Sequence, residues 1–399
     1  MKKRMLFITH EIPFPPASGG TIKTWKLLEY FAQTHELSLV CLKKGQTSEG
    51  EADMLDKLRP ARYFSKAVDI PRNASSYLQS ILKRTPLPIY RNYDKEVAEV
   101  VNEYAMDCDI LFVDHYEMFC YVPEVPPCKV VLHTHNAEFL LWKRHSIEET
   151  SWPKKLVTRW EAGRVLRKEK EYIRRSDLVL ASENDRDVLK REGLDTSHFT
   201  GTYHLGNDEM LSWPEMDFSH TPKQVLFVGS LWWEPNIDGL LWFLSHVWAQ
   251  VVQKDPGIHL VIAGKQRDNR IEKASKSIPN VEIAGFVEDL GPLYAHSRIA
   301  IAPLRYGSGM KVKVLNYLYR GIPVVASPVA LEGIPVQAGK DLLVAESPEQ
   351  WIETILRLAG DIQLCSQIGK TGRQTAALKL TWMAHLKEIG DAIDALLDQ

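Results

Sequence analysis

Short apolar runs alternate with longer amphipathic segments along most of the chain. In these amphipathic segments, apolar residues recur every three or four positions, which is the spacing of one helix face. The apolar runs of the first half lie at 5–10, 37–42, 110–114, 129–134 and 178–182. Continuous apolar strands between helices are typical of a parallel sheet covered on both faces. The first half is therefore predicted to be a doubly wound, Rossmann-like α/β domain.

The same alternation begins again after an irregular stretch at 206–223, which is rich in Pro and polar residues and is predicted to be a linker. The predicted strands of the second half lie at 224–229, 259–264, 281–286, 299–304 and 323–327. A helix is expected over 236–252, with Asn236 as its N-cap. We thus predict two doubly wound domains, over 1–205 and 224–379, that face each other across a cleft.

The last residues, 380–399, form an amphipathic pattern in which Trp382, Leu386, Ile389 and Ile393 recur at helical spacing. The pattern predicts a helix that either closes the second domain or crosses back to the first.

Length and composition limit the function classes. A chain of 399 residues suits two domains better than one. A composition that is 45% hydrophobic and 25% charged is typical of a globular protein, and a net charge of -2 argues against a general nucleic-acid binder. The five cysteines form no C-x-x-C pair, which favours reduced thiols in a cytoplasmic protein. No stretch approaches the length of a membrane span, and the short run at 5–8 predicts a strand, not a signal peptide.

A Gly-Ser-Gly loop precedes two lysines at the start of a predicted helix. Gly307, Ser308 and Gly309 form the loop, and Lys311 and Lys313 follow in a first turn without an acid. Cations are disfavoured there by the helix dipole, whereas the backbone N–H groups of a helix start attract anions. A bound phosphate would make the lysines favourable. The alternative is a pair of solvated lysines at a surface helix.

Two further residues strengthen the phosphate interpretation. Arg305 lies just before the loop, and two or three cations match a diphosphate better than a single phosphate. Asn316 lies on the same helix face as Lys313 and offers an amide to a ribose or sugar hydroxyl.

Small residues also follow the first strand of each predicted domain. Gly19 and Gly20 lie between the first strand and its helix, and Gly229 and Ser230 hold the corresponding place in the second half. Glycines allow a ligand to approach the backbone closely, although a plain loop turn at 19–20 is equally consistent with the sequence.

Two histidines, an amide and a carboxylate follow the predicted strand at 129–134. These residues are His133, His135, Asn136 and Glu138. The spacing of the histidines suits a metal, but no third ligand is evident, so no metal site is predicted. His135 is expected to contact a sugar or polarise a hydroxyl, and a hydrogen-bonded structural histidine is the alternative.

These residues together resemble the family 4 glycosyltransferases, also called glycosyl transferases group 1, which have the GT-B fold. The resemblance covers most of the chain and is strongest at 224–334. It is carried by VLFVGSLWWEPNIDGLLWF, VEIAGFVEDLGPLYAHSRIAIAPL and GSGMKVKVLNYLYRGIPVVASPVALEGI. It implies a retaining, metal-independent transfer from a nucleotide-diphosphate sugar to a glycan or lipid-linked acceptor, without a further cofactor.

The resemblance also implies roles for individual residues. The donor would bind the C-terminal domain and the acceptor the N-terminal one. Lys313 matches a diphosphate-binding lysine, and His135 would contact the transferred sugar; with Arg305 they form the expected catalytic set. The remaining expected donor contacts are Gly19, Gly20, Gly229, Ser230, Gly307, Ser308, Gly309, Lys311, Asn316 and Glu332.

The sequence departs from the family pattern at several of these positions. The family's two glutamates fall on Ser308 and Asn316, and its Arg/Lys pair falls on Ser230 and Asn236. The departures leave a second hypothesis open, a non-catalytic GT-B protein that binds a nucleotide sugar or a partner enzyme. A sugar-nucleotide epimerase is a third hypothesis with the same architecture.

One basic amphipathic segment suggests contact with a membrane. Residues 154–175 hold nine Lys/Arg against three Glu, and the apolar stretch FLLW lies just before them at 139–142. Such a segment can rest on an anionic bilayer, and a solvated helix face is the alternative. The protein is thus expected in the cytoplasm, with peripheral contact through 139–175 at the inner face of the cell membrane.

Overall fold

In a computed structural model, the chain forms two compact units. The first unit comprises Met1–Tyr203 and Leu386–Gln399, and the second comprises His204–His385. For Gly19 and Glu148 the backbone alone is described. The structure describes residues 2–16, 19–43, 50–148, 151–203, 205–265, 268–307 and 310–398.

The first unit contains a parallel seven-stranded sheet in the order β3-β2-β1-β4-β5-β6-β7. The central strands are fully buried and strongly apolar, as a sheet covered on both faces requires. The strands are β1 (Arg4–Thr9), β2 (Glu36–Lys43), β3 (Arg62–Ala67), β4 (Ile110–Asp114), β5 (Lys129–His133), β6 (Leu178–Ala181) and β7 (Phe199–Gly201).

Eight helices of this unit follow in chain order among the described residues. Side chains of Asn73, Asp94 and Ser182 accept hydrogen bonds from the first turns of three of them, as N-caps do. The helices are α1 (Gly19–Thr34), α2 (Glu51–Leu58), α3 (Ala74–Leu82), α4 (Leu87–Asn92), α5 (Lys95–Ala105), α6 (Glu138–Glu148), α7 (Trp152–Arg174) and α8 (Glu183–Arg191).

The second unit contains a parallel six-stranded sheet in the order β10-β9-β8-β11-β12-β13. Counted from its own first strand this order is 3-2-1-4-5-6, the Rossmann arrangement. The strands are β8 (Gln224–Val228), β9 (His259–Ala263), β10 (Val281–Gly285), β11 (Ile299–Ala302), β12 (Val324–Ala326) and β13 (Leu343–Val344).

The helices of the second unit flank this sheet, and a π-helical turn at Leu244–Trp248 joins the first two of them. The last helix begins in the second unit, and its residues from Leu386 onward belong to the first. The helices are α9 (Glu234–Phe243), α10 (Ala249–Lys254), α11 (Asn269–Lys276), α12 (Gly291–Ala295), α13 (Val312–Arg320), α14 (Pro348–Gly360), α15 (Ile362–Lys379) and α16 (Trp382–Leu397).

Each sheet has a topological switch point, where the strand order reverses. In the first unit it lies between β1 and β4, and in the second between β8 and β11. Ligands of open α/β sheets bind beyond the carboxyl ends of the strands at such a point. The predicted glycine and lysine motifs follow these strands in the sequence.

Three short or polar strands escaped the sequence analysis. β3 mixes polar and aromatic side chains that are mostly only half-buried, and β7 and β13 have three and two residues. The prediction that Asn236 caps a helix is wrong, because α9 begins at Glu234 and Asn236 is buried inside its first turn.

Among the helices of the described residues, no span is sufficiently long and apolar to cross a membrane.

Candidate active site

Lys313 is the central cation at the switch point of the second unit. It projects from the first turn of α13, and its Nζ donates a hydrogen bond of 2.6 Å to Asn236 Oδ1. The ammonium also lies 4.1 Å from the centroid of the Phe227 ring. Burial, and secondarily the charge of Lys311, lowers the pKa of Lys313 to about 7. No carboxylate of the described residues forms an ion pair with it, so its charge is only weakly compensated.

Glycines bring this ammonium against the polypeptide backbone. A Cβ at Gly229 would lie 2.9 Å from Lys313 Nζ and 2.9 Å from Asn236 Nδ2. The same Asn236 amide donates to the carbonyl of Ser230 at 2.9 Å, and the remainder of Ser230 is exposed. A Cβ at Gly264 would collide with the Gly229 carbonyl oxygen. Asn236 therefore joins the turn after β8 to the helix that carries Lys313.

Lys311 lies immediately before α13 and is buried. Its Nζ donates to the carbonyl of Gly307 at 3.4 Å. Burial lowers the pKa of Lys311, and the charge of Glu332 opposes that shift. Glu332 is itself exposed. The structure thus brings Lys311, Gly307 and Lys313 to one helix start, as an anion site requires.

Arg305 and Gly307 begin the loop between β11 and α13. Arg305 is 53% exposed and forms an ion pair of 3.2 Å with Asp238 of α9. Gly307 has a φ of 120°, a conformation that favours glycine, and a Cβ there would approach the Trp233 ring to 3.2 Å. The two remaining loop residues named by the sequence analysis, Ser308 and Gly309, lie outside the described residues.

Asn316 is committed to a contact within the second unit. Its Oδ1 accepts a hydrogen bond of 2.9 Å from the backbone N–H of Asn207. A Cβ at Gly206 would collide with that Oδ1 atom. Arg320, four residues further along α13, is buried and donates to the carbonyl of Pro214 at 2.6 Å. The end of α13 therefore packs against 206–214.

A buried carboxylate occupies the switch point of the first unit. Asp114 ends β4 and is fully buried. The hydroxyls of Thr9 and Thr24 donate to its Oδ2 at 3.0 and 2.8 Å. His133 Nδ1 and His135 Nε2 lie 2.7 and 2.9 Å from its Oδ1. Asp114 thus connects β1, α1, β4 and the segment after β5.

A third histidine shares this carboxylate. His115 Nδ1 lies 2.9 Å from Asp114 Oδ2, and the His115 ring stacks on the His135 ring with centroids 3.6 Å apart. Burial alone would lower the pKa of His115, but Asp114 raises it above its usual value. Burial, aided by the charge of His115, holds the pKa of His135 well below its usual range. Asp114 thus favours the protonated form of His115, whereas burial favours the neutral form of His135.

The hydrogen bonds fix which nitrogen of His135 is available. An ionised carboxylate only accepts hydrogen bonds, so the Nε2 that faces Asp114 carries the proton. The charges and hydrogen bonds of the histidines keep the pKa of Asp114 well below its usual value against the effect of burial. In this tautomer His135 Nδ1 is an acceptor, suited to a sugar hydroxyl.

The same atoms have the spacing of a metal-ligand set. One ligand atom from each of Asp114, His115 and His135 lies within 4.8 Å of the others. The carboxylate is already bonded by protein donors, which accounts for the cluster without an ion. That no metal is used remains a prediction.

Sequence reasoning identified His135 but missed Asp114, His115 and Lys23. Asp114 and His115 directly follow an apolar strand, which was the available signal. Lys23 is buried in the helix that begins at Gly19 and Gly20, and burial lowers its pKa to about 8 although Asp114 opposes the shift. For Gly19 and Gly20, the structure records no contact with the side chain of another described residue.

A small cavity lies beside these residues in the first unit. Its volume is about 240 Å³, and its lining includes Arg72, Arg91, Glu117, Glu138 and Trp142. Burial, with the charge of Glu117, raises the pKa of Glu138 to about 7. Burial also raises the pKa of Glu169 to about 8, and its carboxylate accepts the backbone N–H of Glu138 at 2.9 Å. The cavity thus offers both charged and apolar contacts.

Two parallel sheets with the switch-point chemistry described above define a GT-B protein. A glycosyltransferase from Rickettsia africae has a TM-score of 0.67 and 13% identity, covering 100% of this chain and 99% of that one. Anabaena Alr3699/HepE in complex with UDP has a TM-score of 0.63 and 12% identity, covering 98% of this chain and 100% of that one. These likenesses confirm the predicted fold class.

Sequence comparison gives the family. Residues 222–361 match the family model of the glycosyl transferases group 1. That part of the chain belongs to this family, and the protein is a glycosyltransferase, as predicted. The chain is also 22% identical over 374 residues to a Klebsiella pneumoniae protein named "Uncharacterized 44.6 kDa protein in cps region", with 92% of this chain and 93% of that protein covered.

Proposed function

We propose that the protein is a retaining, metal-independent family 4 hexosyltransferase that moves a sugar from a nucleotide-diphosphate sugar to a glycan or lipid-linked acceptor. The UDP bound by HepE supports a nucleoside-diphosphate donor. The relative in the cps region supports a place in polysaccharide or glycoconjugate assembly. The proposal uses no cofactor other than the sugar nucleotide.

The observation that carries this proposal is the poorly compensated ammonium of Lys313. Its described polar partner is a neutral amide, and its pKa is lowered to about 7 by burial. A diphosphate at the start of α13 would supply the missing negative charge and would also meet the positive end of the helix dipole. Lys311 and the backbone at Gly229 and Gly307 complete the proposed donor site, with Ser230, Glu332 and Arg305 at its edge.

The same groups explain how the bond to the sugar would break. Negative charge grows on the diphosphate as the sugar departs, and fixed cations and N–H groups stabilise that charge in the transition state. This is the proposed role of Lys313, Lys311 and Arg305. No side chain is assigned as a nucleophile, in agreement with attack by the acceptor on the face from which the diphosphate leaves.

The first unit would bind the acceptor and contact the transferred sugar. His135 Nδ1 would accept a hydrogen bond from a sugar hydroxyl, while Asp114 holds the other nitrogen. The cavity beside Glu138 is the proposed acceptor subsite. The proposal includes peripheral membrane contact through 139–175, and Gly19 and Gly20 as backbone contacts to the donor.

The first experiment measures donor binding by calorimetry with UDP, GDP, ADP and dTDP, each with and without its sugar. Lys313→Ala should weaken binding of the preferred nucleotide by about 100-fold, since a buried charge contact is lost. The exposed Lys340→Ala is a matched control in the same unit and should bind as the wild type does. Equal affinities of wild type and Lys313→Ala would remove Lys313 from the site.

A second candidate function is a nucleotide-sugar-binding subunit without turnover. It is favoured by the hydrogen bond that commits Asn316 Oδ1 to Asn207, because the family's corresponding glutamate usually binds the ribose. This candidate predicts tight donor binding, no transfer or hydrolysis by the wild type, and turnover gained in Asn316→Glu. Sugar transfer by the wild type would exclude it.

A further inference from the structure

Helix α3 buries two of its serines and exposes its large aliphatic residues. Ser76 and Ser80 are buried, and the Ser76 hydroxyl donates to the carbonyl of Pro71. Leu78, Ile81 and Leu82, spaced i, i+3 and i+4 on one face, are 59%, 44% and 74% exposed. A surface helix ordinarily shows the reverse arrangement. The exposed leucines therefore require a reason outside the fold of this unit.

The first half of α7 is inverted in the same way. Thr158, Glu161 and Arg164 are buried, although they are polar or charged. The outer face of this half-helix presents large apolar side chains at 73%, 58%, 43% and 47% exposure, namely Trp152, Leu156, Val157 and Trp160. Two helices that both expose their large apolar residues form an unusual feature on a single unit.

A buried ion pair joins the two helices. Glu161 and Arg164 lie 2.6 Å apart, and the Arg164 guanidinium donates to the carbonyls of Ser80 and Thr85 at 2.8 and 2.7 Å. The same guanidinium stacks over the Trp160 ring at 4.6 Å. These bonds hold the end of α3 beside Trp160. We call the seven exposed apolar residues of the two helices the α3–α7 surface: Leu78, Ile81, Leu82, Trp152, Leu156, Val157 and Trp160.

Positive charges predominate among the described residues around this surface. Residues 71–92 contain four Arg/Lys and no Asp or Glu. On α7, Lys154, Lys155 and Arg159 are exposed and form no ion pair with any described residue. Helix α6 packs along α7 and adds the exposed Leu141, whereas Phe139 and Trp142 of the same FLLW stretch are buried. The result is an apolar face with a basic border.

We infer that the α3–α7 surface docks the protein on an anionic lipid bilayer. Apolar side chains, two of them tryptophans, would enter the boundary between headgroups and acyl chains. The lysines and arginines beside them would lie at the level of the anionic headgroups. The inference identifies the surface for the membrane contact included in the proposed function, and it adds α3, which lies outside residues 139–175. It does not depend on catalysis.

Flotation of the full chain with lipid vesicles tests this assignment. Wild type should bind vesicles of phosphatidylcholine and phosphatidylglycerol more tightly than vesicles of phosphatidylcholine alone, and 0.5 M salt should weaken the binding. Leu82→Ser removes three side-chain carbons from the bilayer, and at roughly fourfold for each carbon it should reduce partitioning by up to about 60-fold. Leu378→Ser is the matched control, since Leu378 is 77% exposed in α15 of the other unit.

The basic border is tested by Lys154→Gln, Lys155→Gln and Arg159→Gln combined. This variant should lose on the order of 100-fold of its affinity for anionic vesicles at low salt. Far-UV circular dichroism and thermal unfolding check that each variant is folded. Lys313→Ala should float like the wild type, which separates this inference from the donor site.

Two outcomes would overturn the inference. One is equal flotation of wild type, Leu82→Ser and Leu378→Ser. The other is a wild-type dimer in analytical ultracentrifugation that Leu82→Ser dissociates, without vesicle binding, which would assign the surface to contact between copies of the chain.

Discussion

The switch point of the first unit holds a negative charge with many polar partners, and that of the second unit holds a positive charge with few. In the first unit, the Asp114 carboxylate is surrounded by two hydroxyls and three histidines, and it raises the pKa of one of them, His115. In the second, the Lys313 ammonium has a neutral amide and an aromatic ring as its described partners. The same strand topology thus carries one charge with a full set of polar partners and one charge with weak partners.

This difference separates a structural charge from a ligand-binding charge. A buried charge with all its partners present stabilises the fold, and removal of that charge leaves its partners unsatisfied. A buried charge with weak partners destabilises the free protein and becomes favourable when a counter-charge binds. Asp114 has the partners of the first kind, and we propose that Lys313 is of the second.

The largest predicted effect is the loss of stability in Asp114→Ala. Four hydrogen-bond donors and the adjacent His115 would lose the carboxylate they share, and the free energy of unfolding should fall by about 3–5 kcal/mol. Urea unfolding followed by circular dichroism measures this change. The exposed Asp187→Ala in α8 is the control and should change stability by less than about 0.5 kcal/mol. A small effect at Asp114 would mean that the histidines are satisfied without it.

The second prediction is that Lys313→Met stabilises the free protein by about 2 kcal/mol at pH 6, since it replaces a poorly compensated ammonium with an apolar chain. Because the folded-state pKa of about 7 lies below the ordinary 10.5, the unfolded chain holds more protons between these values. Wild-type stability relative to the variant should therefore rise as pH increases from 7 to 10.5. A constant difference across this window would contradict the depressed pKa.

Much of the fold follows from the sequence, because central strands are buried on both faces and must be continuously apolar. Val225, Leu226 and Phe227 illustrate such a strand. Edge strands escape this rule, and β3 is paired on one side only. Its sequence RYFSKA has neither a continuous apolar run nor a polar–apolar alternation, so it does not differ from the sequence of a loop.

The candidate site was predictable where its functional residues lie close together in the sequence. Lys311 and Lys313 adjoin the glycine loop in the sequence, so their grouping followed from local spacing. The Asp114 cluster combines residues from β1, α1, β4 and the end of β5, which only the tertiary fold brings together. Asn236 was misjudged for the same reason: its side chain joins Ser230 to Lys313 across two loops and does not cap its own helix.

The third prediction concerns proton uptake on donor binding. At pH 8 much of the Lys313 in the free protein is neutral, and a bound diphosphate should raise its pKa and protonate it. Calorimetry of nucleotide binding in buffers with different ionisation enthalpies should show uptake approaching one proton. The pKa of Lys23 is also lowered, to about 8, but the main charge acting on this lysine is that of Asp114. Lys23→Met should therefore retain the uptake. Uptake that survives in Lys313→Met would place the titrating group elsewhere.

The smallest predicted effect belongs to Arg305→Gln. Arg305 is half exposed and must leave Asp238 to reach a phosphate, so donor affinity should fall only about fivefold and stability by less than about 1 kcal/mol. Arg270→Gln is a matched control, since Arg270 is 51% exposed and pairs with Glu234 and Asp268 in the same unit. Both quantities come from the same calorimetric and urea titrations. If Arg305→Gln lowered donor affinity as much as Lys313→Ala does, the centre of the site would lie in the loop and not at the helix start. The contrast between a buried, poorly compensated cation and an exposed, paired cation would then no longer explain where the donor binds.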